Sequence, residues 1–275
     1  MTVSSSPATL RVLSFNIRGA LFDDGLNRWP NRAGLNVRTI LRHAPDLIGF
    51  QELHQGNLDV YRERLAGYDY RLGPPYNDDE PHYQYPAIFW NPKRVHVTES
   101  GGFWLSLTPE RHSGSWDTAC IRSAAWVRCV WLETGLAFAL LNTHLDHVSE
   151  LARVEGARLI LQRLQPEIEA GTPIVTTGDF NCEPGSAAHR LFLEQGFVDA
   201  FAAAGWADPT PSFHAFRGRE FEPGPGQAGR IDWILTRDGR QRFTIAACDL
   251  VDDAEPPLYP SDHYPALADL AIRSA

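Results

Sequence analysis

Short apolar runs rich in β-formers recur along this chain, and six of them stop on or beside a residue able to do chemistry. Leu10–Ile17 carries Asn16 at its end, and Asp46–Gln51 is followed by Glu52. Leu136–Asn142 runs into His144, Asp146 and His147, and Ile174–Thr177 into Asp179 and Asn181. Asp232 lies within the run that begins at Ile231, and Ser261–Asp262–His263 precedes the run Pro265–Ile272. Strand ends gather at a rim, so polar residues spaced from Asn16 to His263 call for one body of sheet built from the whole chain. A length of 275 residues allows one or two domains; this distribution argues for one.

The intervening sequence supplies the rest of the sheet and its cover. Helical patterns run over Asn31–His43, Asn57–Leu65 and Ser186–Gln195. The longest covers Ser149–Ala170, where Leu151, Val154, Ala157, Leu161, Leu164 and Ile168 keep a three/four spacing until Gly171. Further strands are expected at Tyr68–Leu72, Ala87–Trp90, Ala124–Glu133 and Phe243–Ala247, with Glu133–Thr134–Gly135 turning a hairpin. The Gly/Pro-rich stretch Gly205–Gly229 looks like a linker, but the roughly 45 residues after it are too few for an independent core. They must complete a sheet begun earlier, which gives one domain of two packed sheets with helices outside.

Composition narrows the function. Acids outnumber lysine and arginine by 34 to 25, a net charge of −9. That disfavours a protein that coats nucleic acid, where a basic surface supplies most of the binding. Only Arg217–Gly218–Arg219 and the stretch Arg237–Arg242 suggest basic loops. No stretch approaches the ~20 apolar residues of a membrane span, and Met1–Leu10 lacks the basic start and apolar core of a signal peptide. The four cysteines show no CxxC spacing, which suits mostly buried free thiols and a cytoplasmic location. No GxGxxG or GxxxxGK[ST] follows the first strand, so a nucleotide-binding glycine loop is excluded.

A single Asn or Asp at a strand end is ordinarily a cap or turn residue, and a lone His a structural hydrogen-bonder. Their recurrence at six strand ends, without a nucleophilic Ser or Cys in a recognisable setting, points elsewhere. Carboxylate and carboxamide oxygens suit a hard cation such as Mg²⁺ or Mn²⁺, whereas zinc calls for a tighter His/Cys set. Histidines beside such a metal move protons or stabilise an oxyanion near neutral pH. Together these groups describe hydrolysis of a phosphate ester.

The ordered blocks Ser14–Phe15–Asn16–Ile17–Arg18, Gln51–Glu52, Asn142–Thr143–His144–Leu145–Asp146–His147, Gly178–Asp179–Phe180–Asn181, Arg230–Ile231–Asp232–Trp233 and Ser261–Asp262–His263 resemble the endonuclease/exonuclease/phosphatase superfamily. The likeness spans about Leu10 to Leu270. Trp29–Pro30–Asn31–Arg32, Gly102–Phe103–Trp104–Leu105–Ser106, Ser115–Trp116–Asp117, Ser212–Phe213–His214–Ala215–Phe216 and Tyr259–Pro260–Ser261–Asp262–His263 resemble a mainly bacterial branch of it. The resemblance implies an α+β fold, a four-layer α/β/β/α sandwich of two mixed sheets, over residues 10–275 after a disordered tail at 1–9.

It also implies roles. Glu52 would be the principal ligand of Mg²⁺ or Mn²⁺, with Asn16 and Asp262 nearby, directly or through water. Asp179 and Asn181 would position and deprotonate water or hold a second metal; His263, oriented by Asp232, would contact the phosphate; His144 would stabilise developing charge or assist the leaving group. The base stays open among Asp179, His144 and His263. Arg122 would contact phosphate or form a salt bridge, and Asp146, His147 and His214 would line the pocket or stabilise loops. Trp29, Trp104 and Trp116 could stack on a base or sugar or pack under loops. Relatives tend to carry a Glu and an Asn where Gln84–Tyr85–Pro86 stands, so contacts there are not carried over, and Cys182 replaces a more usual Ala. The expected activity is a phosphoesterase on a small or short phosphorylated substrate, a small molecule or a short oligonucleotide, with no extended nucleic-acid track and no obligate protein partner. A nuclease and a catalytically inactive binding module on the same fold are the alternatives.

Overall fold

The computed structural model describes residues 8–77, 83–208, 210–224 and 229–272. In chain order the elements are β1 (Thr9–Asn16), α1 (Trp29–His43), β2 (Leu47–His54), α2 (Gln55–Arg64), β3 (Asp69–Leu72), β4 (Gln84–Trp90), β5 (Val95–Trp104), β6 (Ser123–Trp131) and β7 (Leu136–His144). They continue with α3 (Glu150–Arg163), α4 (Gln165–Ala170), β8 (Ile174–Asp179), α5 (Ala187–Glu194), β9 (Val198–Asp199), α6 (Ala200–Ala203), β10 (Asp232–Arg237), β11 (Phe243–Leu250) and β12 (Ala266–Ile272). Two six-stranded mixed sheets result, ordered β11-β12-β1-β2-β4-β3 and β5-β6-β7-β8-β10-β9. β11 and β12 pair into the first sheet and β10 into the second, so the residues after Gly229 do complete a structure begun at the N-terminus.

Side-chain parity explains the layering. Successive residues of a strand face opposite sides. Leu10 and Val12 of β1 enter the core between the sheets, while Leu13 and Phe15 pack beneath α1 with Trp29, Val37 and Ile40. Phe138 and Leu140 of β7, Val175 of β8 and Ile234 of β10 face inward too, and Leu141, Ile174 and Trp233 face outward under α3 and α5. Among the described residues no helix is long and apolar enough to cross a membrane. All four cysteines are free thiols, with Cys129, Cys182 and Cys248 buried and Cys120 exposed.

The inward face turns polar toward one rim, and there the sheets are fastened by Asn142 of β7. Its amide nitrogen donates to the carbonyls of Phe50 (2.7 Å) on β2 and Ala87 (3.1 Å) on β4. Its oxygen accepts from Gln51 Nε2 (2.7 Å) and Thr177 Oγ1 (3.1 Å). The approach is close enough to require glycine at position 49, where a Cβ would fall 2.1 Å from Thr177 Oγ1 and 2.6 Å from Asn142 Oδ1.

The expected helix over 149–170 is two helices. Pro166 has no N–H to give to the helix and stands in the first turn of α4, where a proline is tolerated; inside a continuous helix it would break one bond and clash. Leu151, at the head of the expected apolar stripe, is 51 % exposed, and the buried face runs through Ala152, Gly156, Ala157, Ile160 and Leu161 instead. β5 is an additional strand: an edge with a bulge between Val97 and Glu99 and the pair Gly101–Gly102, it lacks the regular apolar/polar alternation that marks a half-buried strand. Of the tail expected at 1–9, residues 1–7 lie outside the described residues, and Thr9 already pairs with Ala271.

Asn142→Leu keeps the volume but removes the donor that meets the Phe50 and Ala87 carbonyls and one of the acceptors of Gln51. Its unfolding free energy by urea titration is expected to fall by about 3 kcal/mol or more, because each orphaned buried group costs about 1–3 kcal/mol; a loss below about 1 kcal/mol would show that the sheets are held elsewhere.

Candidate active site

Register brings the expected residues together. β7 and β8 run parallel with His144 beside Asp179, and β8 and β10 run antiparallel with Asp179 beside Asp232. His144, Asp179 and Asp232 thus stand in a row across three strands. Each has the inward parity of its strand, continuing the line of Leu140, Val175 and Ile234. From the facing sheet, Asn16 continues the line of Val12 and Ser14, and the loop before β12 brings Asp262 and His263.

Glu52 reaches the rim by a different device. The pairing of β2 with β4 slips between Phe50 and Leu53, and Glu52 adopts φ +62°, a left-handed backbone that residues with a Cβ rarely take. The bulge returns Leu53 to the outer face beneath the helices and leaves Glu52 free to turn toward Asn16. Local strain of this kind persists where surrounding structure holds it.

The polar contacts are dense. Asn16 Nδ2 donates to Asp179 Oδ2 (2.9 Å) and Glu52 Oε1 (3.2 Å), separating two carboxylates, while its oxygen accepts from the Arg18 N–H (3.0 Å). Asp179 Oδ1 accepts from the Asn181 backbone N–H (3.0 Å). The Asn181 side chain donates to the Leu145 carbonyl (3.0 Å), and its backbone is left-handed (φ +49°). His263 Nδ1 lies 2.8 Å from Asp232 Oδ2, and its Nε2 lies 3.9 Å from Asp179 Oδ2 and 4.0 Å from Asp262 Oδ1. Asp232 Oδ1 is buried without a hydrogen-bond partner.

Burial and charge set the protonation states. Burial, then the neighbouring Asp232, raises the Asp179 carboxyl to about 7, and burial also raises Asp262. Burial opposes charge on His263, but Asp232, Asp262 and Asp179 outweigh it and raise the imidazole to about 10. His144 goes the other way: burial, then Arg122, hold it neutral and well below its usual range. Arg122 Nη1 lies 3.3 Å from His144 Nδ1, and a guanidinium can only donate. Nδ1 is therefore the acceptor and Nε2 carries the hydrogen, pointing at Asp179 Oδ2 3.3 Å away.

The other expected pocket residues separate. Arg122 is buried against the Tyr76 ring and forms no ion pair among the described residues; its partner is His144. Asp146 takes no part in the cluster, because both its oxygens are spent. Oδ2 accepts from Thr118 Oγ1 and the N–H groups of Ala119 and Cys120, and Oδ1 from those of Val148 and Ser149. It ties the 118–120 loop to the start of α3. His147 is exposed at the edge. His214 is buried between Tyr264 and Tyr259, with Nδ1 accepting from the Gly218 N–H (3.2 Å). Trp29 packs in the core at the head of α1, and the Trp104 indole bonds the Pro75 carbonyl. Tyr76, Arg18 and Ser261 were not singled out as site residues from the sequence. Only Arg18 and Ser261 carried a signal, standing inside blocks already recognised.

One oxygen each of Asp179 and Asp232 and a ring nitrogen of His263 lie within 4.8 Å of one another, a group that could hold a metal ion. Buried acids and imidazoles at the rim of two packed mixed sheets define a class of protein suited to metal-assisted chemistry on an anion. The chain belongs to the Endonuclease/Exonuclease/phosphatase family, whose model matches residues 13–263. A family protein from Bacteroides vulgatus is 30% identical and superposes with a TM-score of 0.85 over 97% of this chain and 100% of that one. The mannosyl-6-phosphatase of Bacteroides thetaiotaomicron VPI-5482 is 27% identical, with a TM-score of 0.85 over 96% and 100%. Rat nocturnin is 27% identical over 96% of this chain, which spans 64% of the length of that relative.

The neutral buried histidines make stability pH-dependent. Burial, then the charged His263, push His214 down to about 3, whereas a histidine in an unfolded chain titrates near 6.5. Below about pH 6.5 the unfolded state takes a proton the folded state refuses, so stability is complete above about 6.5 and is lost as pH falls toward 3. Between pH 6.5 and 5 the wild type is expected to lose on the order of 2 kcal/mol more than His214→Gln, at ~1.4 kcal/mol per pH unit. Urea unfolding across that range measures it; parallel profiles would remove His214 as the cause.

Proposed function

We propose that this protein is a metal-dependent phosphoesterase that attacks a small phosphorylated substrate with water, and that it works in the cytoplasm. The observation that carries the reading is the row His144–Asp179–Asp232 with His263, facing Asn16, Glu52 and Asp262 across the rim. Buried Asp179, Asp232 and Asp262 crowd this rim with Glu52, while Arg18 reaches Asp262 only at 3.8 Å, so a hard divalent cation fits the donor set. Glu52 and Asp262 would hold Mg²⁺ or Mn²⁺, with Asn16 bracing Glu52. When bound, the ion neutralises phosphate charge and polarises a phosphoryl oxygen.

The chain's own residues supply the rest. Asp179 is the base: its carboxyl is tuned near neutrality, and Asn16 and the Asn181 N–H hold it in place. His144 is not the base in this arrangement, because Nδ1 is engaged and Nε2 already carries a hydrogen; it donates to the oxygen on which charge develops. His263, locked by Asp232 and cationic, donates Nε2–H to the phosphate. A small substrate agrees with the −9 charge, which disfavours a long polyanion on the surface, and with the likeness to a mannosyl-6-phosphatase over nearly the whole of both chains. Free thiols agree with a reducing compartment.

A panel of p-nitrophenyl phosphate, its bis ester, sugar phosphates and short DNA and RNA, each with Mg²⁺ or Mn²⁺, tests the substrate. Small esters are expected to turn over fastest, and preferred cleavage of oligonucleotides would make the protein a nuclease. On the active substrate Asp179→Asn and His263→Ala are each expected to lower kcat by about 10²–10⁴-fold while far-UV dichroism is unchanged; near-wild-type turnover by either refutes its role.

A further inference from the structure

The block Trp29–Pro30–Asn31–Arg32 has no part in the chemistry above, yet it places a fully buried arginine beside the rim. The Arg32 side chain is 0% exposed, and none of the described carboxylates forms an ion pair with it. Its partners are backbone carbonyls. Nε donates to Asn27 O (2.6 Å), Nη1 to Ile17 O (2.8 Å) and Pro260 O (2.9 Å), and Nη2 to Arg18 O. Ile17 and Arg18 follow Asn16 directly, and Pro260 stands two residues before Asp262 and three before His263. One guanidinium thus joins the end of β1 to the loop that carries two site residues, with α1 as the rigid base.

Its neighbours act on the same loop. Asn36, one turn along α1, donates to the same Pro260 carbonyl (3.1 Å) and accepts from Tyr61 Oη (2.7 Å). Asn27 Oδ1 accepts from the Tyr259 N–H (3.0 Å), and the Ser261 hydroxyl donates to Asn16 O (2.6 Å). The Arg32 guanidinium also lies near the Trp29 ring (5.1 Å) and the Phe216 ring (5.6 Å). A planar fork can bond carbonyls in several directions at once; an ammonium on a flexible stem cannot. Burying a cation is costly unless its donors are met, so such a residue is held in one geometry and holds its partners in turn.

We infer that Arg32 is a positioning residue of the cation site, setting the separation between Asn16 on β1 and Asp262 and His263 on the last loop. It touches no reacting atom. The inference rests on the assignment of Glu52 and Asp262 as the cation's holders. Groups that orient ligands from outside the first shell typically change metal affinity or activity by 10–100-fold when replaced.

The test compares wild type, Glu52→Ala and Arg32→Lys by calorimetric titration with Mg²⁺ and Mn²⁺ in the absence of substrate, then by steady-state kinetics. Folding is checked at the same temperature by near-UV dichroism. Folded Arg32→Lys is expected to bind the cation about tenfold more weakly and to lose kcat in proportion, with KM for the phosphate ester nearly unchanged. A simple loss of folded protein would instead lower the number of binding sites without moving their affinity. Folded Arg32→Lys with wild-type cation affinity and kcat overturns the inference. If Arg32→Lys does not fold, Asn36→Ala loosens the same Pro260 carbonyl while keeping the guanidinium: weaker cation binding supports the inference and wild-type binding overturns it. Absence of cation binding by wild type at millimolar concentration sinks the metal assignment itself, a result distinct from either.

Discussion

Above the apolar core, the carboxamide of Asn142 fastens the two sheets. Asn142 projects from β7 into the space between the layers and bonds the backbone of β2 and β4 with its nitrogen, and Gln51 and Thr177 with its oxygen. Both kinds of donor and acceptor are used, and no water is needed to satisfy them. In an apolar interior such a network is strong when complete and expensive when broken. Gly49 makes the approach possible by offering no Cβ to the oxygens of Thr177 and Asn142. The mutual placement of Asn16 and Glu52 on one sheet and His144, Asp179 and Asp232 on the other depends on this junction.

From there the site is the continuation of the inner face. Along β1, β7, β8 and β10 the inward positions are apolar in the middle of the sandwich and become polar toward one rim. Register converts those lines into a row of side chains, and a bulge brings in Glu52, which ordinary alternation would have turned under the helices. The cost is a concentration of buried acids. Asn16 offsets part of it by standing between Glu52 and Asp179, and His263 by carrying charge beside Asp232. What remains is suited to a divalent cation.

Three arginines serve this acidic rim without duplicating one another. Arg18 pairs with Asp24, its guanidinium over the Phe22 ring, and extends toward Asp262. Arg122 fixes the tautomer of His144 by donating to Nδ1. Arg32 bonds only carbonyls and governs the loop geometry. Counting charges along the chain treats all three alike, although burial and partner chemistry make one a counter-ion, one a hydrogen-bond donor to an imidazole and one a structural fork.

The ordered blocks picked out Asn16, Glu52, His144, Asp179, Asn181, Asp232, Asp262 and His263 as candidates, which the fold brings to one rim, because strand alternation and the family's motif order are written locally. They also carried the two-sheet fold and the single domain. Local pattern failed at Ser149–Ala170, where Pro166 outweighed the apolar spacing, and at β5, whose edge position removes the need for alternation. It left Asp146 between lining the pocket and stabilising a loop, which is settled by a loop nearly thirty residues earlier on Oδ2 and by Val148 and Ser149 on Oδ1, and it left Arg122 between a phosphate contact and a salt bridge. By itself the sequence determined which residue types stand at the strand ends and which way each strand faces, since both follow from the covalent order and a period of two. Only the tertiary structure decided which of them face one another, which atoms are already occupied and which histidine carries charge, because hydrogen bonds, burial and Coulomb interactions depend on distances between residues far apart in the chain.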